Sequence, residues 1–359
     1  MNYRKYELLA AEDISTATTK TIDLRGLDPI SRINIQTKQT HSNSILMNGH
    51  VAEIIQKVQI IDGSTVLFDA TGQVLQAQDF YQGRETQMNL FHDDLEKWAR
   101  CNFTINFGRK LFDPELGFDP SKFNNPQLKI THDYTQSGDG APTAQTLRVE
   151  VDIWDQKVPS LIGFLQFQEI FSKALVASGT EYIDLPLDYP IRSFMFQSLF
   201  ASRRPPFQLD NLKLTENNGK RVVMEDSLAE LLPNLPTFKL YTENIQHLTA
   251  LGLYNIFCTP AFHATLRGHC KNLDDDIYFQ PNDGGRIQLG CGAATQEAIF
   301  TVSGYCPHGA VSFPFGDQMN MDDWYDVTAL EKLQLKLVAS QYATNGNEQR
   351  IMVEQLRKY

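Results

Sequence analysis

Cysteine and histidine residues are concentrated between positions 258 and 308, and these are the residue types that bind zinc. The segment contains Cys258, His263, His269, Cys270, Cys291, Cys306 and His308. Stretches of 11, 20 and 14 residues separate successive cysteines, so no pair has the short spacing of a zinc knuckle. We therefore interpret the group as buried thiols and loop histidines, and we predict no metal site. The metal candidates that remain are Cys258, His263, His269 and Cys270.

Three further patterns could carry chemistry, and each also has a purely structural interpretation. The glycine-rich stretch 285–296 lacks the strand-to-helix setting of a phosphate loop and predicts strand ends and bends. The acidic stretches 272–279 and 318–326 offer oxygen ligands for calcium but lack EF-hand spacing, which favours solvated surface. His132 stands alone on its predicted strand, whereas a metal-binding cupin needs paired inward histidines. We predict no catalytic residue, no cofactor and no enzymatic activity.

The composition is that of a soluble globular protein with a substantial core. The 359 residues are 42% hydrophobic and 21% charged. A net charge of −11 argues against broad electrostatic binding of nucleic acid, and no sequence-specific nucleic-acid contact is predicted. The five cysteines are odd in number and widely spaced, which favours reduced thiols made in a cytoplasm.

An internal repeat links residues 18–36 with residues 179–197 at an offset of 161. In both copies apolar residues then alternate with other residues, Ile33 and Ile35 in the first and Phe194 and Phe196 in the second. This alternation predicts a strand with one buried face in each copy. The identical residues are Thr19, Ile22, Asp23, Leu24, Pro29, Ile30 and Gln36, matched by Thr180, Ile183, Asp184, Leu185, Pro190, Ile191 and Gln197.

The repeat continues in the same order along the chain. A strand, a turn at Asp62-Gly63 and a second strand are predicted over 56–69, and the same arrangement recurs over 210–226 with the turn at Asn218-Gly219. The later matched segments are 103–113 with 311–322, 127–134 with 334–341, and 145–153 with 349–357. The interval Phe68 to Phe107 is 39 residues, whereas Val223 to Phe315 is 92 residues, so the second copy carries a large insertion.

Each copy contains seven or eight short, mostly alternating strands and few helical patterns. An apolar stripe predicts a helix over 85–101, and shorter patterns predict helices near 225–232 and over 242–257. Too few helices are present for a parallel α/β fold. The sequence therefore predicts a mainly β protein with two tandem jelly-roll β-sandwiches, short helices and a large loop insertion in the second sandwich.

The repeat also predicts the domain limits. Residues 1–12 are expected to form an N-terminal arm, and residues 13–157 the first jelly roll. Residues 158–178 are expected to be a linker, and residues 179–359 the second jelly roll, with its insertion at about 233–309.

The stretch 105–134, INFGRKLFDPELGFDPSKFNNPQLKITHDY, together with the tandem repeat, resembles the double jelly-roll major capsid proteins. These proteins build the shells of tailless icosahedral bacteriophages with internal membranes and of the adenovirus lineage. The resemblance implies a viral structural protein that forms a homotrimer, whose six sandwiches approximate a hexagon and tile an icosahedral capsid. It further implies contacts with neighbouring capsomers, with other capsid proteins such as vertex proteins, and with an internal membrane. The implied location is the virion capsid, assembled in the host cytoplasm.

Aromatic residues in the loops are expected at subunit contacts, because the centres of large obligate interfaces are apolar. An alternative function is a carbohydrate-binding or receptor-binding β-sandwich of a spike or tail, and another is a minor capsid protein of the same fold. The interface candidates are Phe112, Phe118, Phe123, Phe313, Phe315 and Trp324.

Overall fold

The structure is a computed structural model in which the chain forms two β-sandwiches. It describes residues 2–40, 49–83, 88–92, 98–136, 144–249, 252–270, 277–291 and 296–359. In this part of the chain no helix is long and apolar enough to cross a membrane.

The first sandwich comprises nine strands and one helix. They are β1 (Tyr3–Asp13), β2 (Thr18–Asp23), β3 (Ile30–Thr40), β4 (Ile55–Asp62), β5 (Thr65–Ala70), α1 (Gly72–Tyr81), β6 (Asn89–His92), β7 (Trp98–Asn106), β8 (Pro126–His132) and β9 (Ala144–Trp154). One sheet has the order β1-β9-β3-β7, and the facing sheet has the order β2-β8-β4-β5. Eight strands in two sheets with this order form a jelly roll.

The second sandwich follows the same plan. Its elements are β10 (Gly163–Ala174), β11 (Thr180–Asp184), β12 (Ile191–Gln197), β13 (Leu209–Glu216), β14 (Arg221–Ser227), α2 (Leu228–Leu231), β15 (Tyr241–Thr249), β16 (Gly252–Phe257), β17 (Pro260–Cys270), β18 (Ile277–Asn282), β19 (Arg286–Cys291), β20 (Gln296–Pro307), β21 (Ala310–Pro314), β22 (Leu333–Ala339) and β23 (Glu348–Lys358). The sheets β10-β23-β12-β21 and β11-β22-β13-β14 repeat the strand orders of the first sandwich.

Strands β15 to β20 occupy the insertion of the second copy. Strands β15, β20 and β17 extend the β1-β9-β3-β7 sheet of the first sandwich through β6, which makes one eight-stranded sheet. Strands β16, β19 and β18 form a separate three-stranded sheet. The insertion therefore joins the two copies.

Alternating burial explains why the repeated segments are strands. In β3, Ile33 and Ile35 are fully buried, and in β8 so are Leu128 and Ile130. The residues between them are partly exposed, which is the two-residue period of a sheet with one face in the core. The turns predicted at Asp62-Gly63 and Asn218-Gly219 lie between β4 and β5 and between β13 and β14.

Two of the three predicted helices are wrong. The described residues of 85–101 form β6 and the start of β7, and 242–257 contains β15 and β16 instead of a helix. In β7 buried and partly exposed residues alternate with a period of two. This is the pattern of a strand and not of a helix, although the same apolar residues also approximate a helical stripe in the sequence. The helix near 225–232 is the short α2, while the ten-residue α1 was not predicted.

The arm and linker expectations also need correction. Residues expected to form an arm lie in β1, which pairs with β9 as an edge strand of the first sandwich. Residues expected to form a linker contain β10, which pairs with β23 in the second sandwich. Each repeat therefore begins about 15 residues earlier than the sequence match indicates, and we propose 163 as the start of the second unit.

Candidate assembly surface

Three of the six aromatic interface candidates lie inside the protein's own core. Phe118 and Phe313 are fully buried, and Trp324 is 4% exposed. Phe118 stacks on Phe107 at 5.0 Å, and Phe313 stacks on Phe194 at 4.6 Å. These rings therefore pack against this chain and have almost no surface to offer a neighbour.

The other three candidates are half-buried. Phe112 stacks on Tyr3 of β1 at 3.9 Å, and Phe315 contacts Tyr325 at 4.9 Å. Phe123 stacks on Phe118 at 5.0 Å. They retain some exposed area and stay candidates for a subunit contact.

The metal candidates do not form a site among the described residues, where no group of three or more potential ligands could hold a metal ion. Cys258 is buried, and burial raises the pKa of its thiol well above the usual value, which opposes the thiolate that zinc requires. His263 is exposed and stacks on Phe262. The side chains of His269 and Cys270 lie outside the described residues.

In the loop around the acidic stretch 318–326, side-chain oxygens accept hydrogen bonds from backbone amides of the same loop. Asp317 Oδ1 accepts a hydrogen bond from the Met319 amide at 2.9 Å, and Asp323 Oδ2 accepts one from the Asp317 amide at 2.6 Å. Asn320 Oδ1 accepts one from the Asp322 amide at 3.3 Å. These oxygens stabilise the loop conformation. The described part of the other acidic stretch, 277–279, lies in β18.

The two sandwiches meet where β5 of the first lies beside β10 of the second. The rings of Phe68 in β5 and Phe167 in β10 are 5.9 Å apart, and both side chains are 1% exposed. The backbone amide of Leu165 donates to the carbonyl oxygen of Phe107 at 2.9 Å, and that of Gly117 donates to Gly163 at 3.0 Å. Apolar packing and backbone hydrogen bonds therefore fasten the second sandwich to the first.

Helix α1 covers the outer face of the second sandwich. Its amide side chains converge on Glu354 of β23: Gln78 donates from 3.1 Å and the following Gln82 from 2.5 Å. Arg192 of β12 forms an ion pair with the same carboxylate at 3.0 Å, and the two side chains are only 4% and 3% exposed. Every residue of β12 is buried, although a strand with one open face would alternate.

The local sequence explains how α1 reaches this position. Thr71 caps the helix, because its Oγ1 accepts a hydrogen bond from the Val74 amide at 3.3 Å. Val74 and Leu75 are fully buried in the first core, while glutamines face the second sandwich. The helix is thus apolar towards one sandwich and polar towards the other.

A second buried polar cluster joins the segments that follow β5 and β14. Glu243 of β15 accepts hydrogen bonds from the Thr259 amide at 2.7 Å and from the Thr259 hydroxyl at 2.8 Å. His308 Nε2 lies 2.8 Å from Gln76 Oε1 of α1, and His50 Nε2 lies 3.3 Å from Thr259 Oγ1. The two imidazole rings are 4.7 Å apart.

Burial controls the protonation of this cluster. It lowers the pKa of His50 to about 3 and that of His308 well below the usual value, because no solvent stabilises the charged ring. Burial also raises the pKa of the Glu243 carboxyl, against the opposing hydrogen bonds from Thr259. Both histidines are therefore neutral at pH 7. Sequence reasoning grouped His308 with the cysteines and missed this cluster, since its members are far apart in the chain.

The matching outer face of the first sandwich is open. By strand pairing, Asp152 of β9 stands where Glu354 stands in β23, since Asp152 pairs with Arg32 of β3 and Glu354 with Ser193 of β12. Asp152 also forms an ion pair with Arg32 at 2.9 Å, but the Arg32 side chain is 29% exposed. Arg32 lines both a polar cavity of about 500 Å³ and one of about 260 Å³.

Two pairs of equivalent strands also differ in burial between the sandwiches. The first five residues of β10 are buried beneath the first sandwich, whereas nine of the eleven residues of its counterpart β1 are exposed. The last four residues of β5 are buried, whereas none of its counterpart β14 is. The surfaces of β5 and β10 are thus covered within the chain, whereas the equivalent surfaces of β14 and β1 are open.

Solved structures of known proteins share this architecture, although no sequence comparison finds a relative. No family model matches the sequence, and no curated protein matches it. Among solved structures, the major capsid protein P2 of bacteriophage PM2 is 9% identical, with a TM-score of 0.55 over 99% of this chain and 98% of that one. VP54 of PBCV-1 is 11% identical, with a TM-score of 0.59 over 98% and 92% of the two chains. The STIV MCP is 10% identical, with a TM-score of 0.56 over 100% and 98%.

The chain has the double jelly-roll fold. The likeness spans both sandwiches and the insertion of this chain, and at these identities it is one of fold. The predicted fold class is therefore confirmed. Within this double jelly roll, the open faces of β1 and β14 are the candidate assembly surface.

Proposed function

We propose that the protein is a viral major capsid protein that assembles with copies of itself into an icosahedral shell. The observation that carries this proposal is the fold match over nearly the whole of both chains, since P2 of PM2 is itself a major capsid protein. Fold alone does not define a function. The proposal is therefore supported separately by the surfaces that the chain leaves open.

A homotrimer is the assembly that these surfaces support best. The chain contains two similar sandwiches, and one surface of the pair is already covered within the chain. Three chains in a ring supply six sandwiches, and repeating the internal contact between chains closes the ring. Such a trimer approximates a hexagon and can tile a shell.

The remaining parts of the proposal concern partners and location. The subunits would contact neighbouring capsomers and other capsid proteins such as vertex proteins, with an internal membrane beneath the shell. The protein would lie in the virion after assembly in the host cytoplasm, and it would act as a structural subunit without catalysis. The net charge of −11 supports a shell protein that does not bind nucleic acid directly.

Electron microscopy of the purified, concentrated protein tests the proposal. We expect hexagonal particles of the size of one trimer, and closed shells when accessory capsid proteins are added. Monodisperse single chains that bind glycans would instead support a receptor-binding β-sandwich.

A further inference from the structure

A hydroxyl and a carboxamide from distant parts of the chain lie against each other inside the protein. The side-chain nitrogen Nδ2 of Asn89 in β6 is 3.0 Å from Oγ1 of Thr259, which lies between β16 and β17. Both residues are completely buried, although 170 positions separate them in the sequence. A buried hydroxyl beside a buried carboxamide places a nucleophile next to an electrophile in a site that excludes water.

Glu243 of β15 is placed to move a proton between these two groups. Its Oε2 accepts the hydrogen bond of the Thr259 hydroxyl at 2.8 Å and lies 3.5 Å from Nδ2 of Asn89. One carboxylate oxygen thus contacts both the hydroxyl that would lose a proton and the nitrogen that would gain one. Burial raises the pKa of the Glu243 carboxyl, which makes its carboxylate a stronger base than that of an exposed glutamate.

Two donors hold the carbonyl oxygen of Asn89. Gln76 of α1 donates from Nε2 to Asn89 Oδ1 at 2.8 Å, and the thiol of Cys101 in β7 donates to the same oxygen at 2.8 Å. Burial raises the pKa of the Cys101 thiol well above its usual value, so this donor keeps its proton. Donors arranged in this way stabilise the negative charge that develops on a carbonyl oxygen under attack.

The two buried histidines hold the reacting groups in place. His50 Nδ1 accepts a hydrogen bond from a backbone amide at 3.0 Å, so the neutral ring carries its proton on Nε2 and donates it to Thr259 Oγ1 at 3.3 Å. His308 donates from Nε2 to Gln76 Oε1 at 2.8 Å, which turns the Gln76 amide nitrogen towards Asn89. Both histidines are therefore positioning residues.

We propose that Asn89 and Thr259 join in an intramolecular ester bond after the chain has folded. Thr259 Oγ1 forms a bond to Cγ of Asn89, and the hydroxyl proton passes to Glu243. The bond between Cγ and Nδ2 then breaks, and the nitrogen leaves as ammonia with the proton that Glu243 returns. The reaction consumes no co-reactant and occurs once in each chain, and it is independent of the proposed capsid function.

The ester joins the first sandwich to the insertion of the second copy at a weakly paired position. Among the described residues, the register between β6 and β15 consists of one pair, Phe91 with Ile245. Few backbone hydrogen bonds therefore hold the eight-stranded sheet together at this point. A covalent link between β6 and the loop before β17 constrains the unfolded chain and keeps the insertion attached to the first sandwich.

Mass spectrometry of the full-length, denatured protein tests this bond. We expect the intact chain to be lighter than its sequence mass by one molecule of ammonia. Trypsin should release a linked pair of peptides, residues 85–97 with Asn89 and residues 240–267 with Thr259. Neutral hydroxylamine should separate the pair, because it cleaves esters and leaves amide cross-links intact.

Variants at Thr259 provide a matched comparison. Thr259→Val removes the nucleophile and keeps the shape of the side chain, so the full sequence mass and two separate peptides are expected. Thr259→Ser keeps a hydroxyl at the same place and should retain the link. Glu243→Gln removes the group that carries the proton, and the rate at which newly made protein becomes linked should fall about a hundredfold or more.

The unmodified protein decides the outcome even if a variant fails to fold. Folded protein with the full sequence mass and two separate peptides would overturn the ester bond. A loss of ammonia without linked peptides would also overturn it, because cyclisation of an asparagine on its own backbone releases ammonia as well. A linked pair that resists hydroxylamine would contradict an ester. None of these results affects the capsid proposal, which rests on assembly.

Discussion

Asp152 and Glu354 occupy equivalent places in the two sandwiches, yet the arginine that pairs with Asp152 lines an open cavity, whereas Glu354 and its arginine are covered by α1. Asp152 forms its ion pair with Arg32 at 2.9 Å, and Glu354 forms its ion pair with Arg192 at 3.0 Å. The first pair retains partial contact with solvent, while the second is almost completely removed from it. The two ion pairs differ in burial because α1 of the first sandwich covers the second sandwich, while no equivalent helix covers Asp152 and Arg32 among the described residues.

Replacing Glu354 with Gln should lower the free energy of unfolding by about 3 kcal/mol, because Arg192 would be left as a buried charge without its partner. Asp152→Asn is the matched control, and its cost should be below about 1 kcal/mol because Arg32 can reach solvent. Urea unfolding of both variants measures the two values. Equal costs would mean that α1 does not seal the second face.

The stability of the protein should fall on acidification because His50 is buried in its neutral form. Its pKa is lowered from 6.5 to about 3, so the unfolded chain binds a proton between these values that the folded chain does not. For His50 alone the loss between pH 7 and pH 5 is about 2 kcal/mol. The raised pKa of Glu243 acts in the opposite direction, since protonation of its carboxyl favours the folded state.

His50→Gln isolates the histidine contribution, because Glu243 and His308 remain in both proteins. The unfolding free energy of this variant should change less between pH 7 and pH 5 than that of the unmodified protein. Unfolding curves at the two pH values provide the comparison. Parallel pH profiles would show that His50 is accessible to protons in the folded state.

Gly316 follows Phe315 in the repeated segment 311–322, and its backbone requires glycine. Its φ is +61°, and a Cβ atom there would collide with the carbonyl oxygen of Asp323. Gly316→Ala should therefore cost roughly 2–5 kcal/mol. Gly346→Ala is the control, since φ is +84° there but the space around it is open. Its expected cost is about 1 kcal/mol, and thermal unfolding would reveal the difference.

The buried cysteines should be inert in the folded protein. Cys101, Cys258 and Cys306 are free and buried, and burial raises the pKa of each thiol. Since the thiolate is the reactive form, alkylation at pH 7 should spare these three residues until a denaturant is added. Peptide mass spectrometry locates the labelled residues. Rapid labelling of Cys258 would show that the loop joining β16 and β17 opens.

The repeat was accessible from sequence because alternation and turn residues are local signals. The helix α1 was not, because its ten residues are buried on nearly all sides and contain glutamines that face a second sandwich. Strands β1 and β10 were missed for a related reason: most of β1 is exposed, so no alternation marks it. Tertiary contacts decide both cases, and a single sequence does not display them.

The aromatic candidates show a second limit. Phe118 and Phe313 lie in loops or at strand ends by sequence, and nothing local distinguishes a ring packed in the chain's own core from one packed on a neighbour. The candidate assembly surface is defined by the comparison of equivalent strands, β1 with β10 and β14 with β5. That comparison requires the three-dimensional pairing.

The mass of the purified protein in solution tests self-association through the open sandwich faces most directly. Sedimentation at neutral pH and moderate salt should give a particle of three times the 40.8 kDa chain mass, with higher assemblies at increased concentration. A species of 40.8 kDa that persists at high concentration and low salt would contradict it.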